Sequence, residues 1–112
     1  MAFVAGEDAI EEAIQIILGT SQGERVMRPE FGCGIWDLVM EPNTAQLHGR
    51  VQQRVRDALI RWEPRIDVLD VRVDAPQEQK HILLLRIDYR VRANNAFYNL
   101  VYPFFLQEGA QQ

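Results

Sequence analysis

The hydrophobic pattern of this chain changes its period at one residue, Pro64, within the segment Arg61-Trp62-Glu63-Pro64-Arg65-Ile66. Before Pro64, apolar residues recur every three or four positions, as on one face of an α-helix, and after it they alternate, as on a β-strand. Because proline has no backbone N–H and a fixed φ, it ends the helix and holds the preceding residue in extended geometry. A helix and a sheet must therefore meet at this corner, where burial of the Trp62 ring can pin it to the core.

Two stretches have the spacing of amphipathic helices. The first is predicted over residues 7–18, with an apolar stripe that ends before Gly19. The second is predicted over residues 43–62, with Asn43 as N-cap and Gln46 in the capping-box position. Between them, residues 35–40 are too apolar for an exposed loop and predict one or two helical turns that end before Pro42.

The second half of the chain predicts strands. Alternation over 66–74, 83–92 and 97–106 indicates three of them, with a bulge near Val68 and a turn at 93–96. Pro103 places the last strand at an edge of the sheet or at a bulge. Residues 24–28 predict a further short strand, and the polar tail 107–112 is expected to be flexible.

These patterns predict an α+β fold in which two main helices pack on a three- to four-stranded, mainly antiparallel sheet. With 112 residues, of which 47% are hydrophobic, residues 1–112 are expected to form a single domain. The net charge of −4 and the lack of a basic tract disfavour nucleic-acid binding. No signal peptide and no long apolar run is present, so we expect cytoplasmic assembly without membrane insertion.

The sequence gives little support for catalysis. Cys33, His48 and His81 are far apart in the chain and lack the paired spacing of metal ligands, so no metal site is expected. No glycine-rich phosphate loop is present, and no cofactor is expected. Three carboxylates in or near loops could converge as a glycosidase pair, but no aromatic or apolar pattern around them would build a sugar groove; they are Glu30, Glu41 and Glu63.

Two features have both a structural and a functional interpretation. Glu63 and Arg65 form either a local ion pair on a turn or a docking corner in which Pro64 holds both charges outward. The last strand needs only one apolar face for a core, yet Phe97, Val101 and Phe105 make its other face apolar as well. A strand that is apolar on both faces indicates a second covering surface from another chain.

An ordered series of short motifs gives the chain a family likeness over about residues 7–106. Together they resemble the baseplate wedge, or sheath-initiator, family of contractile phage tails, which also occurs in type VI secretion and extracellular contractile injection systems. The motifs are Ile14 to Leu18, Thr20, Gly23-Glu24-Arg25, Met27-Arg28-Pro29, Phe31-Gly32, Trp62-Glu63-Pro64-Arg65-Ile66, Tyr89-Arg90-Val91 and Leu100-Val101-Tyr102-Pro103-Phe104.

The resemblance implies a structural, non-enzymatic baseplate component. Members of the family join wedge subunits and begin the contractile sheath, whose strands add to theirs by β-augmentation; tube or hub proteins are further partners. The implied partner contacts are Glu63, Pro64, Arg65, Arg25, Arg28, Pro29, Phe31 and Gly32. The implied sheath-strand docking residues are Tyr98, Leu100, Val101, Tyr102 and Phe104. The alternative is a small peptidoglycan-degrading, lysozyme-like tail enzyme that uses Glu30 or Glu63.

Overall fold

A computed structural model describes residues 5–20, 32–79 and 81–106. In chain order these residues form α1 (Ala5–Gly19), a 3₁₀ helix (Gly34–Leu38), α2 (Ala45–Trp62), β1 (Ile66–Asp74), β2 (Ile82–Val91) and β3 (Ala96–Phe105). The predicted α+β fold of two helices and an antiparallel sheet is confirmed. The predicted strand at 24–28 and the predicted flexible tail at 107–112 lie outside the described residues.

The helix α1 carries the predicted stripe of aliphatic residues on its buried face. Ile10, Ile14, Ile17 and Leu18 are all buried. At its C-terminal end the Thr20 hydroxyl donates to Ile16 O over 2.6 Å, which satisfies a carbonyl of the last turn. The helix therefore packs through one side and leaves the other exposed.

The helix α2 begins two residues later than predicted, and its N-cap is Thr44, not Asn43. The Thr44 hydroxyl accepts a hydrogen bond from Leu47 N at 3.2 Å, and its backbone is extended. The Asn43 side chain instead meets His48 Nε2 at 2.5 Å. Both residue types cap helices well, so local preference does not decide between them. The buried face of α2 consists of Leu47, Val51, Val55, Ala58 and Leu59.

The sheet is a three-stranded antiparallel meander in the order β1-β2-β3. Its register shifts between Val68 and Asp70, which confirms the predicted bulge and leaves Leu69 exposed. The inner face of β2 is buried along its whole length, because the helices cover it. β3 contributes Leu100 and Phe104 to the same core.

Trp36 joins the 3₁₀ helix to both layers of the fold. Its indole Nε1 donates to Leu18 O at 3.0 Å, at the end of α1. Its ring meets Phe104 of β3 edge-on, with the centroids 5.4 Å apart. The predicted helical turns at 35–40 are thus present as the 3₁₀ helix, and they link α1 to the sheet.

Candidate docking surfaces

The predicted corner forms where α2 ends. The Glu63 N–H donates to Leu59 O at 2.9 Å as the last helical hydrogen bond, and Pro64 has no N–H with which to continue. Ile66 N then donates to Glu63 O at 3.4 Å, which turns the chain into β1. The corner therefore follows from the proline, as the sequence predicts.

The two charges of this corner are not both turned outward, and that expectation was wrong for Glu63. The Glu63 side chain is 3% exposed, whereas that of Arg65 is 52% exposed. Arg65 donates from Nε to Glu63 Oε1 at 2.7 Å and from Nη2 to Glu63 Oε2 at 2.8 Å. A buried carboxylate needs such a partner, because an unpaired charge is costly to remove from water.

The pair holds Arg65 in a single orientation at the surface. Hydrogen bonding to Glu63 raises the pKa of Arg65 above its ordinary value, so the guanidinium stays charged. Because both carboxylate oxygens are engaged by one guanidinium, Glu63 has little capacity left for a partner. Arg65 is therefore the charged group that this corner leaves accessible.

A groove of about 350 Å³ adjoins the corner. It combines aliphatic side chains of α1 with the end of α2 and the half-exposed guanidinium. Ile16, one of its lining residues, is a large apolar side chain that is half exposed. The groove thus offers apolar contact beside one positive charge; its lining is Ala13, Ile16, Ile17, Trp62, Glu63, Pro64 and Arg65.

The second candidate surface is β3. Within the described part of the chain β3 pairs with β2 alone, so its other side is an edge of the sheet. Phe97 is 70% exposed, Val101 is 40% exposed and Phe105 is 54% exposed. These three form an apolar row on the face away from the helices, as the two-sided pattern of the sequence predicts.

The predicted strand-docking residues divide between the two faces of β3. Val101 belongs to the exposed row. Leu100 and Phe104 are buried in the core and Tyr98 and Tyr102 are half-buried, so these four side chains already face the helices. Phe97 and Phe105 were missing from the predicted docking set, although their exposed apolar positions were visible in the alternation.

Next to the apolar row, the outer face of β1 and β2 is a set of matched charges. Arg90 and Arg92 both contact Asp67, and they lower the pKa of that carboxyl. Arg72 contacts Asp70 at 3.4 Å and Asp88 at 3.2 Å. Arg86 contacts Asp74. We name this set the ion ladder: Asp67, Asp70, Arg72, Asp74, Arg86, Asp88, Arg90 and Arg92.

The other predicted partner contacts lie in or beside the segment that follows α1. Arg25, Arg28, Pro29 and Phe31 are outside the described residues. Gly32 is described; it is buried with φ at 113°, and a Cβ on it would run into the Thr20 carbonyl. Cys33 N donates to Thr20 O at 3.0 Å. Residues 32–33 therefore pack closely against Thr20, in an approach where only glycine fits at position 32.

The described residues give little support for a catalytic or metal-binding site. Burial raises the pKa of the Cys33 thiol to about 11, which makes it a poor nucleophile at neutral pH. Glu41, like Glu63, is engaged by an arginine through both oxygens, here Arg50; Glu30 is not described. Over the described ranges no three His, Cys, Asp or Glu side chains could hold a metal ion, and no helix could cross a membrane.

This chain is similar to baseplate wedge proteins. A family model described as baseplate wedge protein gp25 matches residues 4–96. Baseplate wedge protein gp25 of Enterobacteria phage T4 is 33% identical over 89 residues, which cover 80% of this chain and 67% of that protein.

Two solved structures extend the likeness to the whole fold. A Geobacter sulfurreducens protein that carries a tail-lysozyme name is 48% identical, with a TM-score of 0.87, and the match covers 96% of this chain and 97% of the other. A chain of the postcontracted R2 pyocin baseplate is 28% identical, with a TM-score of 0.58 and coverage of 88% and 83% respectively.

Proposed function

This chain belongs to the gp25 family of baseplate wedge proteins, and from that premise we propose that it joins wedge subunits and starts the contractile sheath by accepting a sheath strand on β3. The observation that carries the proposal is the edge position of β3 together with its exposed apolar row. An extended segment placed there would gain backbone hydrogen bonds and would cover Phe97, Val101 and Phe105.

The groove beside Arg65 is the proposed contact to other wedge subunits. It suits an apolar side chain flanked by a carboxylate or a carbonyl oxygen, because the guanidinium is held by Glu63 with part of its surface exposed. Arg and aromatic residues are frequent energetic centres of protein interfaces, and Trp62 lies in the same groove. The two surfaces belong to different elements, so one chain can bind wedge and sheath at once.

The proposal describes a structural subunit and not a hydrolase. A glycosidase acid must give its proton to a leaving group, and a nucleophile or base must have a free oxygen. Both oxygens of Glu63 instead accept hydrogen bonds from Arg65, and the carboxylate is buried. Both oxygens of Glu41 likewise accept from Arg50, in a more exposed pair.

Replacement of the corner pair tests the wedge contact. Glu63 and Arg65 are changed together to Met, because removing one partner alone would leave the other charge unpaired. We expect the double variant to fold but to yield few assembled baseplates, as counted by electron microscopy in cells that make the contractile particle. The control changes Glu41 and Arg50 to Met, which removes an ion pair away from the groove. Full-length sheathed particles from the Glu63/Arg65 variant would contradict the wedge assignment.

Replacement of the apolar row tests the strand contact at a later stage of assembly. Phe97→Ser with Phe105→Ser changes side chains that are mostly exposed, so we expect the fold to persist. Baseplates should then form and lack sheath. Ile60→Ser is the matched control, since Ile60 is also an exposed apolar residue but lies on α2. Normal sheath on particles of the Phe97/Phe105 variant would rule out β3 as the starting strand.

A further inference from the structure

Within the described residues, β3 has β2 on one side and an edge of the sheet on the other, and its backbone presents every second residue to that edge. In an antiparallel ladder, the N–H and C=O of one residue both point to the neighbouring strand, and those of the next residue both point away. Leu106 N donates to His81 O at 2.7 Å, which fixes the phase of β3 against β2. On the other side of β2, Arg92 N donates to Arg65 O at 2.9 Å, in agreement with this phase. The residues that face the edge are therefore Phe97, Asn99, Val101, Pro103 and Phe105.

Pro103 stands in this outward-facing set. Its missing N–H is consequently not needed by β2, which explains how a proline is accommodated inside a continuous strand. At the edge itself, Pro103 offers an acceptor but no donor. Any strand that pairs across this position leaves one of its own carbonyl groups without a partner.

The number of carbonyl groups left unpaired depends on which strand binds at the β3 edge. A strand from another protein pairs with one Pro103, so one of its carbonyl groups stays unpaired. Two copies of β3 that pair about a two-fold axis at Val101 place Pro103 of each copy opposite Asn99 of the other, so two carbonyls stay unpaired. We propose that Pro103 makes the β3 edge select against a second copy of this chain while the edge stays open to an extended segment of another protein.

The surroundings of the edge indicate the chemistry of that segment. Each of the four aspartates of the ion ladder contacts an arginine, and Asp88 also accepts from Asn99 Nδ2 at 2.7 Å. Charge on the outer face is thus matched within the chain, and the row of Phe97, Val101 and Phe105 is apolar. The occupant is an uncharged extended segment with apolar residues at alternate positions. This inference rests on the proposed strand addition for the identity of the occupant, but its test does not.

The test measures self-association of the isolated chain by sedimentation velocity over a concentration series. We expect the parent to stay monomeric and Pro103→Val to dimerise, with a dimer constant tighter by on the order of 100-fold, or about tenfold for each restored hydrogen bond. Pro103→Thr is a second variant with the same expectation, and circular dichroism verifies folding. Hydrogen exchange at the amides of Val101 and Phe105 should slow in the dimer.

Moving the proline supplies the sharpest control. Val101 also faces the edge, so Val101→Pro with Pro103→Val again removes one outward donor and should restore the monomer. Pro42→Val, in the exposed loop before α2, should behave as the parent. The inference is overturned if folded Pro103→Val and Pro103→Thr remain as monomeric as the parent, or if the relocated proline leaves the dimer intact. The sedimentation experiment contains no baseplate partner, so such a result would not contradict the proposed function.

Discussion

At the scale of single residues, the Glu63–Arg65 and Glu41–Arg50 pairs have the same bidentate chemistry in different surroundings. The Glu63 side chain is 3% exposed and that of Glu41 is 33% exposed, while the two arginines are about equally exposed. Burial strengthens the interaction and makes its loss costly, whereas exposed pairs contribute little. The two carboxylates therefore form a matched comparison within one chain.

Glu63→Gln should lower the free energy of unfolding by roughly 1–3 kcal/mol, because the guanidinium loses a charged partner inside the corner. Glu41→Gln should cost under ~1 kcal/mol. Urea unfolding followed by circular dichroism measures both. Equal losses in the two variants would show that burial of Glu63 does not strengthen its pair.

Two glycines should respond to alanine in opposite directions. Gly32→Ala should lower the free energy of unfolding by roughly 1–3 kcal/mol, because its φ of 113° is unfavourable for alanine and the Cβ would run into Thr20 O. Gly49 lies within α2, where a Cβ would have no neighbouring atom within 4 Å, so Gly49→Ala should stabilise by roughly 0.5–1 kcal/mol. Thermal and urea unfolding of both variants give the signs; a stabilising Gly32→Ala would refute the close approach.

The corner residues also show where sequence reasoning stops. Pro64 determines a chain reversal by its own covalent structure, so the corner was predictable. Glu63 instead turns inward, in a groove that it shares with Ala13, Ile16 and Ile17 of α1. The local sequence contains no signal for that tertiary arrangement. A glutamate next to a proline is as compatible with an exposed side chain as with a buried one.

At the scale of elements, the ion ladder ties β1 to β2 across their outer face. Arg90 and Arg92 hydrogen-bond to Asp67 and lower its pKa from the ordinary 3.8. A carboxyl with a lower pKa in the folded state contributes stability that is present above the unfolded pKa and is lost as the pH falls through the folded one. The contribution of Asp67 to stability should therefore decline below about pH 4.

Asp67→Asn should make the protein less stable than the parent at pH 7, and the difference in free energy of unfolding should narrow as acidification protonates the parent carboxyl, whose pKa in the folded state is lowered. Urea unfolding at a series of pH values measures the narrowing. Asp70→Asn is the control for removal of a carboxylate from the same strand; Asp70 makes one contact to Arg72, at 3.4 Å, so this variant should lose less stability at pH 7 than Asp67→Asn. If the difference in free energy of unfolding between Asp67→Asn and the parent stayed constant with pH, the stabilising role of the Asp67 carboxylate would be contradicted.

The helices and strands were largely predictable from the sequence, because each follows from a regular spacing of apolar residues. α2 and the sheet follow the apolar spacing, and the bulge at Leu69 follows from a change of phase between Val68 and Val71. The N-cap was misplaced by one residue, since Asn43 and Thr44 have similar intrinsic preferences. Only the side-chain geometry, Leu47 N to Thr44 Oγ1 at 3.2 Å, distinguishes them.

At the scale of the whole molecule, the tail-lysozyme name of a similar protein makes a hydrolysis test informative. We expect the purified chain not to clear a suspension of peptidoglycan, and Glu30→Gln and Glu63→Gln to change nothing. Hen-type lysozyme serves as the positive control in the same turbidity assay. Clearing by the parent that disappears in either variant would establish the enzyme and displace the structural proposal.

The two candidate docking surfaces, the groove beside Arg65 and the outer face of β3, were indicated by the sequence only in part. The exposed row on β3 was visible as alternation, since Phe97, Val101 and Phe105 are apolar where a solvent-facing strand is polar. The groove was not, because it forms between α1 and the end of α2, which are far apart in sequence. Surfaces within one element are predictable from its period, and surfaces between elements require the packing.

The carbonyl groups at the end of α1 receive donors from the neighbourhood of the 3₁₀ helix. Cys33 N donates to Thr20 O at 3.0 Å, and Trp36 Nε1 donates to Leu18 O at 3.0 Å. The C-terminal end of α1 is therefore satisfied by tertiary hydrogen bonds and not by solvent alone. As a consequence, fraying of α1 from this end is coupled to loosening of the 3₁₀ helix, and the two should exchange their amide protons as one cooperative unit.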